Sequence, residues 1–120
     1  MIDITLDLEE DFLIDILETA LYDGIWYWVE EFKYSLEPDD EKSRAEQIIQ
    51  DDCELTVTFD NENDQETKVI NKDIVCKGYK RYCKWRTSRR LPIYNDSCYI
   101  DSEEADIIIQ LGLFNDIIFG

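Results

Sequence analysis

Leu8, Phe12, Ile16 and Ala20 recur every four residues, with Leu13, Leu17 and Leu21 beside them, while Glu9, Glu10, Asp11, Asp15 and Glu18 fill the opposite side. That spacing predicts an amphipathic helix over 7–22. Asp7 with Glu10 three positions on has the form of a capping box with a carboxylate cap, and Asp23-Gly24 supplies the stop. The next run, Ile25-Trp26-Tyr27-Trp28-Val29-Glu30-Glu31-Phe32-Lys33-Tyr34, is aromatic on consecutive residues and fits neither period cleanly, which leaves strand and short helix both open. Glu37 to Ala45, with Pro38, Asp39, Asp40 and Ser43, reads as a surface loop.

A strict alternation follows. Cys53, Leu55, Val57 and Phe59 against Glu54, Thr56 and Thr58 is the pattern of a half-buried strand; Asp60 to Gln65 is turn material, and Glu66 to Ile70 returns as the second arm of a β-hairpin. Asn71 then caps a helix to about Trp85, with Ile74, Val75, Tyr79 and Tyr82 towards the core and Lys77, Arg81 and Lys84 on a common outer face. A polar stretch from Arg86 to Tyr99 leads to Asp101-Ser102-Glu103-Glu104, the cap of a helix through about Leu113 with Ala105, Ile108, Ile109 and Gly112 as its apolar stripe. Asp116 to Phe119 leaves room for a last short strand. The pattern predicts one α+β domain over 1–120: an N-terminal amphipathic helix, a hairpin, a basic central helix and a C-terminal helix on an antiparallel sheet. At 120 residues, 44% hydrophobic and 12% aromatic, the chain has enough apolar material for one core and is no disordered acidic tail.

Charge changes the picture more than composition does. The formal net charge is −17, yet residues 71–91 hold eight basic residues against the single acid Asp73, a net +7 that leaves −24 for the remainder. The acidic average favours solubility and repels duplex DNA. No run of apolar residues is long enough for a membrane span and no basic region precedes an apolar one at Met1, so a cytoplasmic protein with reduced thiols is expected.

The chain has no histidine, which removes Ser-His-Asp and Cys-His nucleophilic arrangements and every histidine-containing metal site. Cys53, Cys76, Cys83 and Cys98 are spaced 23, 7 and 15 residues apart, unlike the close pairs of a four-cysteine zinc site. Cys76 and Cys83 share a helix face and read as small hydrophobes near the core. The glycines at 24, 78, 112 and 120 build no phosphate loop. Neither a catalytic group, a metal nor a cofactor is expected.

Three constellations remain. Lys77, Arg81, Lys84, Arg86, Arg89 and Arg90, interleaved with Tyr79, Tyr82 and Trp85, are the residue types that grip phosphate and stack bases; the same cations equally suit the protein's own acidic surface, internally or across an oligomer interface. Trp26, Tyr27 and Trp28 serve a core, a subunit interface or a ligand pocket. Glu9 to Glu18 and the 37–46 loop imitate a DNA backbone or form an ordinary solvated face.

Asp11-Phe12-Leu13 through Thr19-Ala20, Gly24-Ile25-Trp26-Tyr27-Trp28, and Ala105 to Gln110 through Leu113-Phe114 to Phe119-Gly120 together resemble a family of small, mostly uncharacterised bacteriophage proteins, with a further touch at Ile74 to Arg81. Asp23 and Asn115 stand where that pattern has glycine. The resemblance implies a phage protein in the bacterial cytoplasm, and small acidic phage proteins of this kind are often counter-defence factors. The expected function is therefore a homo-oligomer that sequesters a cyclic nucleotide immune signal, with Lys77, Arg81, Lys84, Arg86, Arg89 and Arg90 on phosphate and Trp26, Tyr82 or Trp85 stacking on the base. The alternative is an acidic stoichiometric inhibitor or DNA mimic that masks a host defence protein.

Overall fold

The computed structural model describes residues 9–93 and 99–120, and its architecture is α+β: four α-helices and a three-stranded antiparallel sheet. Helix α1 spans Glu10–Thr19; of the expected stripe Leu13, Ile16, Leu17 and Ala20 are buried and Phe12 and Leu21 half-buried, and Ile14, not expected there, is buried as well. Asp7 and Leu8 lie outside the described residues, and Glu9 at the helix start makes no side-chain capping bond. The helical segment stops at Asp23-Gly24 as expected, but its last turn widens into a π turn, Ala20–Gly24, closed by Ile25 N–H on Ala20 O at 3.1 Å. Gly24 is needed there because a Cβ would lie 2.7 Å from the Ser102 carbonyl oxygen.

The aromatic run resolves into two conformations. Ile25 to Trp28 form a turn, with Trp28 N–H on Ile25 O, and only Glu31–Tyr34 extend as β1. The turn buries Ile25, Trp28 and Val29 and leaves Trp26 and Tyr27 outside. The loop predicted over 37–45 ends earlier, at Ser43, which caps a short helix α2, Arg44–Gln50. Ser43 Oγ accepts from Glu46 N–H and the Glu46 carboxylate accepts from Ser43 N–H, a reciprocal capping box. Ala45, Ile48 and Ile49 then enter the core.

Strands β2, Leu55–Asn61, and β3, Asp64–Ile70, form the expected hairpin, with Leu55 opposite Ile70 and Asn61 opposite Asp64; β2 begins two residues after Cys53 and both strands run two residues further into the predicted turn. The turn contracts to Glu62-Asn63, both at positive φ (51° and 74°), the backbone of a type I′ turn whose twist matches that of the strands. Strand β1 pairs with the other edge of β2, Tyr34 opposite Leu55. Leu55, Val57 and Phe59 face the helices and are fully buried.

Helix α3, Lys72–Ser88, starts on an Asn71 side chain that accepts from Ile74 N–H at 3.0 Å and runs three residues past Trp85. Helix α4, Ser102–Phe114, starts on Asp101, which accepts from Glu104 N–H at 2.9 Å. It ends on Asn115 in the left-handed region (φ 55°), a conformation asparagine tolerates nearly as glycine does. The two helices cross at Gly78 and Gly112. Residues 116–119 are not a strand. They lie along α4, where Gln110 Oε1 accepts from the N–H groups of both Ile118 and Phe119 at 2.9 Å. Of the polar stretch expected over 86–99, residues 86–88 belong to α3, and 94–98, with Cys98, lie outside the described residues.

Candidate functional site

The basic helix divides into exposed and internal cations. Lys77 and Lys84 lie exposed on α3, as expected. Arg81, expected on the same outer face, is half-buried: its guanidinium donates to Leu111 O at 2.7 Å and Gly112 O at 3.2 Å. Those are terminal carbonyls of α4, and the negative end of the helix dipole attracts a cation there. Arg86 is buried, donating to Glu104 at 3.2 Å, to Tyr82 Oη at 3.4 Å and to Pro92 O. Tyr82 is fully buried and donates to the Glu104 carboxylate. Arg89 lies over the Trp85 ring at 4.4 Å, and Trp85 stacks on Tyr82 at 6.2 Å. Arg90 is exposed, at φ 57°. Trp26 packs elsewhere, on Phe32 at 5.1 Å, with its indole N–H on Leu21 O. Tyr82, Trp85, Arg86 and Arg89 thus meet, while Trp26 stands apart from them. Five cavities among the described residues are lined by residues outside 77–90.

A second cluster holds the C-terminus in place. Asp106, buried on α4, accepts from Tyr27 Oη at 2.5 Å, Trp28 Nε1 at 2.8 Å and Gln110 Nε2 at 3.0 Å. Fully buried Gln110 also donates to Phe119 O at 3.2 Å and receives the two tail N–H groups. Phe119 stacks on Trp28 at 4.9 Å with the planes 5° apart. Tyr27, Trp28 and Phe119 therefore gather round the buried Asp106–Gln110 pair.

The third feature was not anticipated as a unit. A groove of about 730 Å³ opens between the π turn and the start of α2, lined among others by Glu18, Leu21, Tyr22, Asp23, Tyr34 and Arg44. Arg44 is engaged in the wall, over the Tyr34 ring at 4.1 Å and bonded to Leu36 O at 2.8 Å and Gln47 Oε1 at 3.0 Å. Glu18 likewise accepts from Ser43 Oγ at 2.9 Å, and exposed Asp23 stands beside the Tyr22 ring. Tyr22 is 89% exposed, and beyond it Trp26 and Tyr27 are 58% and 59% exposed. Tyr22 follows the phase of Asp11, Asp15 and Glu18 on the outer face of α1, so helical spacing was the signal that could have found it; the π turn that carries it has no sequence signature.

Acids extend from the groove in both directions. Glu9, Glu10, Asp11, Asp15 and Glu18 are exposed along α1. Past Tyr27, Glu30 hydrogen-bonds Asp60, and that bond, followed by the charge of Asp60, raises the Glu30 carboxyl above its ordinary range. Half-buried Cys76 and Cys83 also have raised thiols, chiefly through burial, so neither is poised as a thiolate. Among the described residues no group of Cys, Asp and Glu is arranged to hold a metal ion. No helix there is long and apolar enough to cross a membrane.

Burial, then the bond to Glu104, drives the Tyr82 phenol well above its ordinary value of 10.0, and burial, then contact with Cys83, does the same for Tyr79. The native state keeps these protons where the unfolded chain gives them up. Their contribution to stability is complete below pH 10 and is lost as pH rises beyond it. Alkaline titration is expected to release Tyr79 and Tyr82 phenolate absorbance together with loss of near-ultraviolet dichroism, as one unfolding event. Phenolates appearing while the dichroism persists would contradict that coupling.

Compared with family models, with curated proteins and with solved structures, the chain matches none.

Proposed function

We propose that the protein acts without turnover as a protein-directed inhibitor, docking the aromatic groove at the π turn, rimmed by Glu18, Asp23 and the acids of α1, onto a basic partner surface of the kind that grips nucleic-acid phosphate. The observation that carries this reading is the exposure of Tyr22 on a groove lined by Glu18 and Asp23, with Trp26 and Tyr27 exposed on the turn that follows. Exposed aromatics at the centre of a patch supply most of the energy of protein interfaces, and a surrounding field of one sign selects and steers the oppositely charged partner. The Glu30–Asp60 contact adds a place where a partner's cation relieves carboxylate crowding. With the phage resemblance, the partner class is a host defence protein whose nucleic-acid groove is masked in the bacterial cytoplasm.

Sequestration of a cyclic nucleotide is the second reading, supported by exposed Lys77 and Lys84 and by the Arg89–Trp85 pair. It is the weaker one, because Arg81, Arg86 and Tyr82 are engaged within the protein.

Paired variants separate the two. Tyr22→Ala with Asp23→Asn is expected to weaken binding to the purified partner tenfold or more, the size of effect seen at interface hot spots. Lys77→Glu with Lys84→Glu is expected to leave that affinity within about twofold. The opposite pattern, measured by calorimetry, would move the binding site to α3 and favour the nucleotide.

A further inference from the structure

Strand β3 is the outer strand of the sheet, and among the described residues nothing pairs with its far edge. It is seven residues long, with neither proline nor bulge, and exposed from Asp64 to Val69. Edge strands of that length are ordinarily short, bent or covered, since unpaired N–H and C=O groups invite another strand.

The hairpin register states which groups are free. The pair flanking a two-residue turn, here Asn61 and Asp64, exchanges hydrogen bonds, and such pairs then alternate along the ladder. Asp64, Glu66, Lys68 and Ile70 therefore direct their backbone groups to β2. Gln65, Thr67 and Val69 direct theirs outward.

We propose that the free edge of β3 pairs antiparallel with β3 of a second copy of this chain, on a two-fold axis through Thr67, to give a continuous six-stranded sheet. In that register Thr67 faces Thr67, and Gln65 faces Val69 on both sides of the axis. Each of these is a pair of outward residues able to exchange two hydrogen bonds. Between them Glu66 of one copy stands opposite Lys68 of the other, twice by symmetry, in the closely spaced pairing where side chains are nearest. Neighbouring symmetric registers are penalised: an axis at Glu66 sets glutamate on glutamate, and one at Lys68 sets lysine on lysine. The charges that would repel a foreign apolar strand thus select a copy of this strand in one register. Strand β1, at the opposite edge, has four residues. The dimer leaves the groove at the π turn uninvolved, so it stands or falls independently of the inhibitor reading.

Sedimentation equilibrium across a wide concentration range, in salt high enough to screen the long-range repulsion of two acidic chains, tests it. A monomer–dimer equilibrium is expected. Glu66→Lys or Lys68→Glu alone is expected to weaken the dimer roughly tenfold or more, since each sets like charges opposite one another at two places. The double exchange Glu66→Lys with Lys68→Glu is expected to restore it. Thr67→Pro removes only an outward N–H, so it should abolish the dimer and preserve the monomer's circular dichroism. A monomer at every concentration, or a dimer indifferent to the single reversals, would overturn the proposal. The charge exchange decides the matter even if the proline variant fails to fold.

Discussion

Alanine at position 78 is expected to destabilise the protein by about 2 kcal/mol, although alanine is the better helix former. A Cβ on Gly78 would lie 2.1 Å from the carbonyl oxygen of Ile108, and one on Gly112 would lie 2.4 Å from that of Ile74. Both obstacles are backbone of the neighbouring helix, which cannot swing aside as a flexible side chain can. The propensity gain from glycine to alanine is about 1 kcal/mol, against roughly 3 kcal/mol at the upper end of overpacking costs, so the clash prevails. In a chain of this size the difference lowers Tm by about 10 °C. Thermal unfolding followed by circular dichroism checks it, and an unchanged or higher Tm would contradict a close crossing. The spacing also matters for the charges: Arg81 on the α4 carbonyls and Arg86 on Glu104 both bridge α3 and α4.

The second large effect is expected at Gln110. Replacement by leucine keeps a buried chain of similar size and removes the acceptor of the Ile118 and Phe119 N–H groups and the donor to Asp106, Tyr27 and Phe119 O. If the two tail N–H groups are satisfied by water instead, three of the five bonds stay lost at about 1 kcal/mol each, a cost of about 3 kcal/mol. Its signature is local. Amide exchange at Ile118 and Phe119 should accelerate far more than exchange in β2, and Trp28 fluorescence should change as Phe119 leaves its ring. Uniform acceleration throughout the chain would show that Gln110 supports the core generally and does not act as a clamp on the tail.

Much of this arrangement was legible where local chemistry dictates it. The alternation from Cys53 to Phe59 and the caps at Asn71 and Asp101 each depend on neighbours a few residues away; the caps stand where expected and the strand lies two residues further on, at Leu55–Asn61. Helix α2 was legible too, since Ser43-Arg44-Ala45-Glu46 before Ile48-Ile49 is a capping box followed by an apolar pair; the acids and proline just upstream masked it. Residues 116–119 resemble a strand in their apolar content, but what orders them is an amide on α4 that no local pattern announces. The basic segment was visible as charge and not as geometry. Arg81 and Arg86 find partners 30 and 18 positions away, and only the packing of α3 on α4 brings them within reach. The even row of cations expected on α3 is therefore divided between exposed Lys77 and Lys84 and internally bonded Arg81 and Arg86.

The inhibitor reading and the nucleotide reading differ in what accompanies the protein, so native mass spectrometry of the protein purified from infected bacterial cells is the most direct measurement. The reading proposed here predicts a protein partner bound in fixed ratio, released as ionic strength rises and missing from the Tyr22→Ala, Asp23→Asn variant. A small-molecule adduct with the mass of a nucleotide, retained by that variant and lost on Lys77→Glu with Lys84→Glu, would contradict it.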